Sequence, residues 1–324
     1  MVMRLTAPLV LMAASVLSAP NAMAQDYPNK NVRIVVPFGA GGPADVYARV
    51  LAQHLSTALN HNFVVENRPG AGSIIGTNEV AKSAADGYTL LLMSNTHTVN
   101  ESLIAKKPFQ LMRDFAPITA INYSDVMMVV NPKLGVKNLK EFIALAKSKP
   151  GQLNYASSGP GTPYHMASEL FKAMSGTNLV HVPHKTSGDM RTSVLGGHVQ
   201  MMFDAITVQA PNVRAGKVIA LGTSGKKRTD VLPNVPTIDE AGVPGYESTI
   251  WLGLMAPAKT PKAIIDKLNA ETVKAMNLPE VKAAWAKQGA VPMPMTPAQF
   301  DKYLRADIEK WAKVVKMAGL TPKK

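Results

Sequence analysis

The chain has no cysteine among its 324 residues. That absence excludes disulfides, iron–sulfur clusters and thiolate chemistry. Beyond the first two dozen residues no apolar run approaches the roughly 20 residues that span a bilayer. Aromatic residues are only 6% of the chain, and none forms a stacking platform beside a basic helix, so no nucleic-acid surface is legible. No His-Glu-x-x-His pair offers a zinc site, and no Gly-x-Ser-x-Gly elbow exposes a nucleophilic serine.

What is present begins with a leader. Arg4 supplies a positive start, Leu5 to Ala19 an apolar stretch, and Ala22-Met23-Ala24 a small-residue cleavage site, which places the cut after Ala24. No twin-arginine pair precedes the stretch, so the general route exports an unfolded chain, and a cofactor bound before export is not expected. Of the 324 residues, 300 remain after cleavage, enough for two domains and a large core. The formal charge of +13 falls to +12 without Arg4. Its cations are scattered, with small clusters at Lys106-Lys107, Lys226-Lys227-Arg228 and Lys323-Lys324. Such a surface suits solubility and the attraction of small acids.

Apolar runs alternate with helical periodicity, the pattern of an α/β protein with largely parallel sheets. Strands are expected at Val32–Pro37, Asn62–Glu66 and Tyr88–Met93, with helices over Ala44–Leu59 and Ile74–Ser83. An extended stretch, Ile118–Asn131, reads as interrupted at Asn122-Tyr123-Ser124-Asp125. Further strands are expected at Leu153–Ala156, Leu179–Val182, Gln200–Phe203, Val218–Thr223 and Ile250–Pro257. Helices are expected over Leu139–Ser148, from Pro163, after Ser187, and over Pro261–Met276, Pro279–Gln288 and Pro297–Ala318. Two strand–glycine-loop–helix units stand far apart in the chain, which suggests two similar lobes around a cleft.

The first unit runs Val36-Pro37-Phe38-Gly39-Ala40-Gly41-Gly42-Pro43-Ala44-Asp45. A helix start of this kind presents free N–H groups and a positive dipole end to an anion. The loop also satisfies Gly-x-Gly-x-x-Ala, with Glu66 placed as a ribose ligand would be. Export and the missing amide hydrogen of Pro43 argue for a smaller anion. The second unit, Ser157-Ser158-Gly159-Pro160-Gly161-Thr162-Pro163, reads either as the facing half of that site or as a tight turn with Thr162 capping the helix. Asp204 closes a strand and reads equally as a ligand residue or as a cap for the next helix. Ser157 or Ser158, His165 and Asp204 invite a hydrolase reading, but a Ser–His–Asp trio arises by chance in most chains of this length. His181 and His184 cannot share a helical face, so no metal site is expected. The 18 methionines read mostly as core filler.

The order of these segments resembles the Bug family, the substrate-binding proteins of tripartite tricarboxylate transporters. The markers are Tyr27-Pro28, the run from Ile34 to Asp45, Val65-Glu66-Asn67-Arg68-Pro69-Gly70-Ala71-Gly72 and Asp86-Gly87-Tyr88-Thr89-Leu90-Leu91. Tyr155 to Thr162, His165-Met166-Ala167, Pro233 to Gly242 and Trp251 to Pro257 complete them. The resemblance covers the mature chain. It implies a two-lobed type II periplasmic binding fold, each lobe a mainly parallel sheet flanked by helices, hinged by crossover strands. Lobe 1 is then 25–122 with 249–324, and lobe 2 is 123–248.

The resemblance also implies a small organic carboxylate, a di- or tricarboxylate or an aromatic acid, held by backbone amides and water without chemistry. Carried over, its ligand residues are Phe38, Ala40, Gly41, Gly42, Asp45, Ser94, Asn95, Ser157, Ser158, Gly161, Thr162, His165 and Asp204. The implied partners are the membrane subunits of the transporter, with the protein itself a monomer in the periplasm, not membrane-embedded and needing no cofactor or metal. A sensor-kinase partner is the alternative role, and a hydrolase using Ser157 and His165 a distant one. One departure stands out: the family's Val-Pro-Tyr-Lys-Gly reads here Val182-Pro183-His184-Lys185-Thr186. It raises the expectation of an affinity that varies with pH through His184.

Overall fold

The computed structural model describes residues 27–320. The leader, with Arg4 and Ala22-Met23-Ala24, lies outside the described residues. β1 (Val32–Val36) enters α1 (Pro43–Leu59), and β2 (Phe63–Asn67) enters α2 (Ile74–Ala81). β3 (Thr89–Ser94), α3 (Asn95–Leu103), α4 (Leu111–Asp114) and the long β4 (Phe115–Val130) follow. Next come α5 (Leu139–Ser148), β5 (Leu153–Ser157), α6 (Pro163–Ser175), β6 (Leu179–Pro183), α7 (Ser187–Leu195), β7 (Met201–Ala205), α8 (Ile206–Arg214) and β8 (Ile219–Thr223). β9 (Thr249–Pro257), α9 (Lys262–Asn277), α10 (Pro279–Ala286), β10 (Ala290–Pro292) and α11 (Pro297–Met317) complete the order.

Local chemistry accounts for most boundaries. In α1, Pro43 occupies the first turn, where its missing N–H costs nothing. Tyr47, Ala48, Leu51, Ala52 and Leu55 form its buried stripe, and Asn60 ends it in the left-handed region at φ 51°. Asn138 caps α5 by accepting Glu141 N–H at 2.9 Å. Thr296 and Gln299 form a reciprocal capping box on α11. β1 buries Val32, Ile34, Val35 and Val36 on both faces, as a strand with helices above and below must.

The strands join one mixed sheet in the order β2-β1-β3-β9-β4-β7-β5-β6, with β8 and β10 also paired to β4. β1, β2 and β3 are parallel, as are β5, β6 and β7. Both sets are parallel as expected, whereas every pairing of β9, β4, β8 and β10 is antiparallel. The expected interruption at Asn122–Asp125 is corrected: β4 runs unbroken through it. Residues up to Asp125 pair with β9, and Val126 onward pairs with β7. The polar residues mark where the strand passes from one half of the sheet to the other. Ser224 runs alongside that passage, donating its N–H to Val126 O at 2.8 Å and accepting Val126 N–H on its hydroxyl at 2.9 Å.

Three buried clusters form among the described residues. One lies on the β4–β7–β5–β6 half and includes Phe142, Tyr155, Phe171, Phe203 and Tyr246. Two lie on opposite sides of the β1–β3–β9 half, around Ile34, Leu51 and Trp285 and around Met93, Trp251 and Phe300. α11 belongs to two of them, giving Phe300 and Leu304 to one and Trp311, Val314 and Val315 to the other. Nine of the buried core residues are methionines, including Met127, Met128, Met201 and Met202, consistent with a filler role.

Gly253 in β9 lies directly beneath the Phe300 ring, where a β-carbon would overlap it. Gly253→Ala should therefore cost about 1–3 kcal/mol, the usual price of overpacking a dense core. Urea unfolding reads that loss. An unchanged midpoint would mean that the ring moves aside freely.

Candidate functional site

Strand direction places the site. β4 is antiparallel to β9, which is antiparallel to β3, so β4 runs with β1 and β3. It then pairs antiparallel with β7, whose neighbours β5 and β6 run with β7. The C-terminal ends of the two parallel sets therefore point at each other along β4. Ser94, at the end of β3, is level with Asn122 through Leu252, and Ala205, at the end of β7, is level with Val126. The two levels are four residue steps apart along β4, about 13 Å at 3.3 Å per residue. β1, β3, β5, β6 and β7 each run into a helix, so five helix N-termini open toward this gap.

The first loop keeps its backbone outermost. Gly39, Ala40 and Gly41 are exposed, and Gly41 has φ 73°, which a side chain would strain. Asp45 is buried and turns back to accept Gly41 N–H at 2.8 Å, while Arg49 Nη2 stands 2.9 Å from its other oxygen. Burial raises the Asp45 carboxyl, but the bonds from Arg49, Gly41 N–H and Asn67 outweigh it and hold the group below its ordinary value. Asn67 also donates to Phe38 O at 3.2 Å, tying the loop to β2. The Phe38 ring meets the His97 ring edge-on at 5.9 Å.

His97 belongs to α3, a helix that hydrophobic periodicity does not announce, because Asn95 to Asn100 are polar save Val99 and all buried. Ser94 is its N-cap, accepting Thr96 N–H at 3.1 Å. The Thr77 hydroxyl donates to Ser73 O at 2.7 Å, so it accepts from His97 Nε2 at 2.9 Å. His97 Nδ1 is then bare and accepts Ser94 N–H at 3.2 Å. Asn95 Nδ2 donates to Thr249 O at 3.4 Å, while its buried Oδ1 has no partner among the described residues. α3 reaches the second loop too: a β-carbon on Gly161 would lie 3.1 Å from Leu103 Cδ1.

In the second loop, Ser157 is buried and its hydroxyl lies 2.6 Å from His181 Nε2. Gly161 N–H donates to His165 Nδ1 at 3.1 Å. Thr162 stands at the N-cap position of α6, but its hydroxyl donates to Gly159 O at 2.7 Å, so the expected capping bond is absent. Ser158 lies between these pinned residues, half-buried. His184 stands beside the loop and donates its N–H to Ser157 O at 2.9 Å. Thr186, the other departure from the family segment, caps α7 by accepting Asp189 N–H at 3.1 Å.

Asp204 is fully buried near the end of β7, and Arg191 grips it twice, at 2.6 and 3.0 Å. Gln209 donates to it at 2.7 Å, and Asp204 lies within electrostatic reach of the Tyr164 hydroxyl. It does not cap α8, whose N-cap is Ala205. The pairing with Arg191 raises the guanidinium above its ordinary value. Tyr164 lies within electrostatic reach of Tyr47 on α1, whose phenol burial pushes up to about 12. A β-carbon on Gly289 would lie 3.0 Å from Thr207 Cγ2. The two halves thus meet along both sides of the gap.

Ser157, His165 and Asp204 are not brought together: their partners are His181, Gly161 and Arg191 respectively. Among the described residues no group of three or more His, Cys, Asp or Glu is placed for a metal ion, and no helix is long and apolar enough to cross a membrane. Two surface hollows, of about 680 and 500 Å³, are lined by other residues, around His61 and Lys267 and around Lys140 and Arg228. Arg191, Tyr164, Tyr47 and His97 went unseen in the sequence. Arg191 and Asp204 lie 13 positions apart with no local motif linking them.

Two outcomes follow from these charges. Arg191→Ala strands the Asp204 carboxylate in the interior and should cost about 3 kcal/mol in urea unfolding, most of it recovered in an Arg191→Met, Asp204→Leu double variant. An unaffected single variant would show that the pair holds nothing. Burial pushes His97 down to about 4, only partly opposed by the Ser94 carbonyl, 3.2 Å from Nδ1, which would accept from the ring once protonated. Its contribution is complete above the ordinary histidine value and fades as pH falls toward 4, by up to about 1.4 kcal/mol per unit. Asp125, raised to about 6 by burial and Glu247, works in the opposite sense. Stability of His97→Asn should accordingly fall less steeply than wild type between pH 6.5 and 4.5; parallel curves would refute the assignment.

The sequence matches the family described as tripartite tricarboxylate transporter family receptor over residues 47–320. Protein BugT of Bordetella pertussis is 36% identical over 312 residues, covering 96% of this chain and 95% of BugT. Among solved structures, R. palustris Rpa4515 with adipate superposes with a TM-score of 0.83 at 33% identity, covering 92% of this chain and 100% of that one. The periplasmic binding protein BugD gives 0.80 at 31% identity, covering 92% and 100%.

Proposed function

The chain belongs to the tripartite tricarboxylate transporter receptor family, the Bug proteins, and from that premise we propose that it captures a small organic carboxylate in the periplasm for a membrane transporter. It has the two-lobed fold of periplasmic binding proteins, and its family is one of receptors rather than enzymes. The observation that carries the reading is the meeting of two sets of strand ends, with five helix N-termini opening toward one gap. Free amides at helix starts suit a carboxylate, and water bridges extend their reach.

Lobe 1 is taken as 25–122 with 249–324 and lobe 2 as 123–248, hinged where β4 changes partners. From lobe 1, the amides of Ala40 and Gly42 face the acid, with Phe38 walling the gap and Gly41 and Asp45 shaping the loop. Ser94 and Asn95 contribute from the end of β3, and the unpartnered Asn95 Oδ1 suits a hydroxyl, amine or water donor. From lobe 2 come Ser158 and Thr162, backed by Ser157, Gly161 and His165. Asp204 acts through Arg191 and Tyr164. Rpa4515 carries adipate in its structure, which makes a dicarboxylate the first acid to test. One chain supplies both halves, so a monomer suffices. The leader directs export, with cleavage after Ala24.

A melting-temperature screen of the mature protein tests the reading. Adipate, succinate, citrate, glutamate and benzoate form one arm, and neutral sugars and amides the other. At a hundredfold excess over Kd, a bound acid should add about 2.7 kcal/mol and leave the solution unchanged by turnover. Stabilisation by neutral solutes alone would overturn it.

A further inference from the structure

Behind the second loop stand two imidazoles that no carboxylate contact requires. The rings of His165 and His181 lie 4.2 Å apart between centroids, tilted by 33°. His181 also stacks on Tyr155 at 4.9 Å, and the Tyr155 hydroxyl donates to Glu169, which Lys172 Nζ holds at 2.8 Å. His165, Tyr155 and Glu169 are all buried.

Their hydrogen bonds assign their protons. Gly161 N–H can only donate, so His165 Nδ1 carries a lone pair. The His165 proton then sits on Nε2, the atom 3.9 Å from Glu169 Oε1. The Ser157 hydroxyl accepts Gly159 N–H at 3.1 Å and stands 2.6 Å from His181 Nε2. That separation is short for an N–H donor but ordinary for an O–H donor. The hydroxyl's other acceptor, Gly159 O, lies farther off at 3.3 Å, so Ser157 donates to His181 Nε2 and the His181 proton sits on Nδ1. The two neutral rings carry opposite tautomers. Burial, and the neighbouring His165, push His181 down to about 3.

The consequence for the loop is specific. Ser157 and Gly161, near its two ends, are each fixed by an imidazole acceptor. Ser158 lies between them, and neither its N–H nor its hydroxyl makes a hydrogen bond among the described residues. We propose that His165 and His181 are positioning residues, two neutral acceptors that hold the loop Ser157–Thr162 so that Ser158 meets the ligand. This rests on the reading of that loop as half of the carboxylate site.

The test has two arms on the full mature protein. Imidazole ¹⁵N NMR at pH 7 should show a bare Nδ1 on His165 and a bare Nε2 on His181, whether or not any ligand binds. Adipate titration by calorimetry is the second arm. His181→Phe keeps the stack on Tyr155 but accepts no bond, and should weaken adipate about tenfold, the scale of one hydrogen bond. His181→Gln, which restores an acceptor, should return most of the affinity at an unchanged melting temperature. Wild-type affinity in His181→Phe, or the reverse tautomers, or a charged ring at pH 7, would overturn the proposal. Should wild type bind no acid, the carboxylate reading fails, and the tautomers alone decide whether the imidazoles hold the loop. Should His181→Phe not fold, the wild-type tautomers decide likewise.

Discussion

One continuous strand constrains everything else in this protein. Because β4 keeps its direction while exchanging β9 for β7, each half of the sheet must present its strand ends to the other. Helices that follow those strands then begin at the junction, bringing unsatisfied N–H groups with them. A polar crossing point is the natural cost of this arrangement. Asn122, Ser124 and Asp125 stay in strand pairing through it, Asn122 fully buried.

The junction is electrically restrained. Each charge that sequence inspection placed there is already matched: Asp45 by Arg49, and Asp204 by Arg191. His97 and His181 are held neutral, by burial above all. The dipoles of the helix starts remain, fixed in direction. Such a field favours an anion without dictating its length, and lets neighbouring side chains set preference. An arginine clamp would have demanded one geometry; rows of amides and hydroxyls tolerate several.

Much of this was legible in the sequence because its signals are local. Val32 to Asp45 displays strand, turn and helix start in order, and the structure reproduces them within a residue or two. The helix expected over Leu139–Ser148 forms over those residues, with Asn138 as its cap. α3 was not legible, since its buried residues are polar and earn their burial through Thr77, Asp307 and Gly72 rather than through an apolar stripe. β4 was misread for the related reason that its polar middle mimics a turn. Long-range pairs escaped entirely. Arg191 with Asp204, and Ser157 with His181, meet only after the sheet has formed. Two strand–glycine-loop–helix units far apart in the chain already suggested two lobes around a cleft, and the family resemblance named the fold.

α11 gives aromatic and aliphatic side chains to cores on both halves. A ribosome delivers it after every strand has emerged. Until α11 arrives, the face of Trp251 lacks Phe300 and the helices α3 and α6 lack a neighbour, however well the earlier segments pair. Such a chain postpones its own completion. The last helix in the chain thus joins two halves that the strands before it have already laid out.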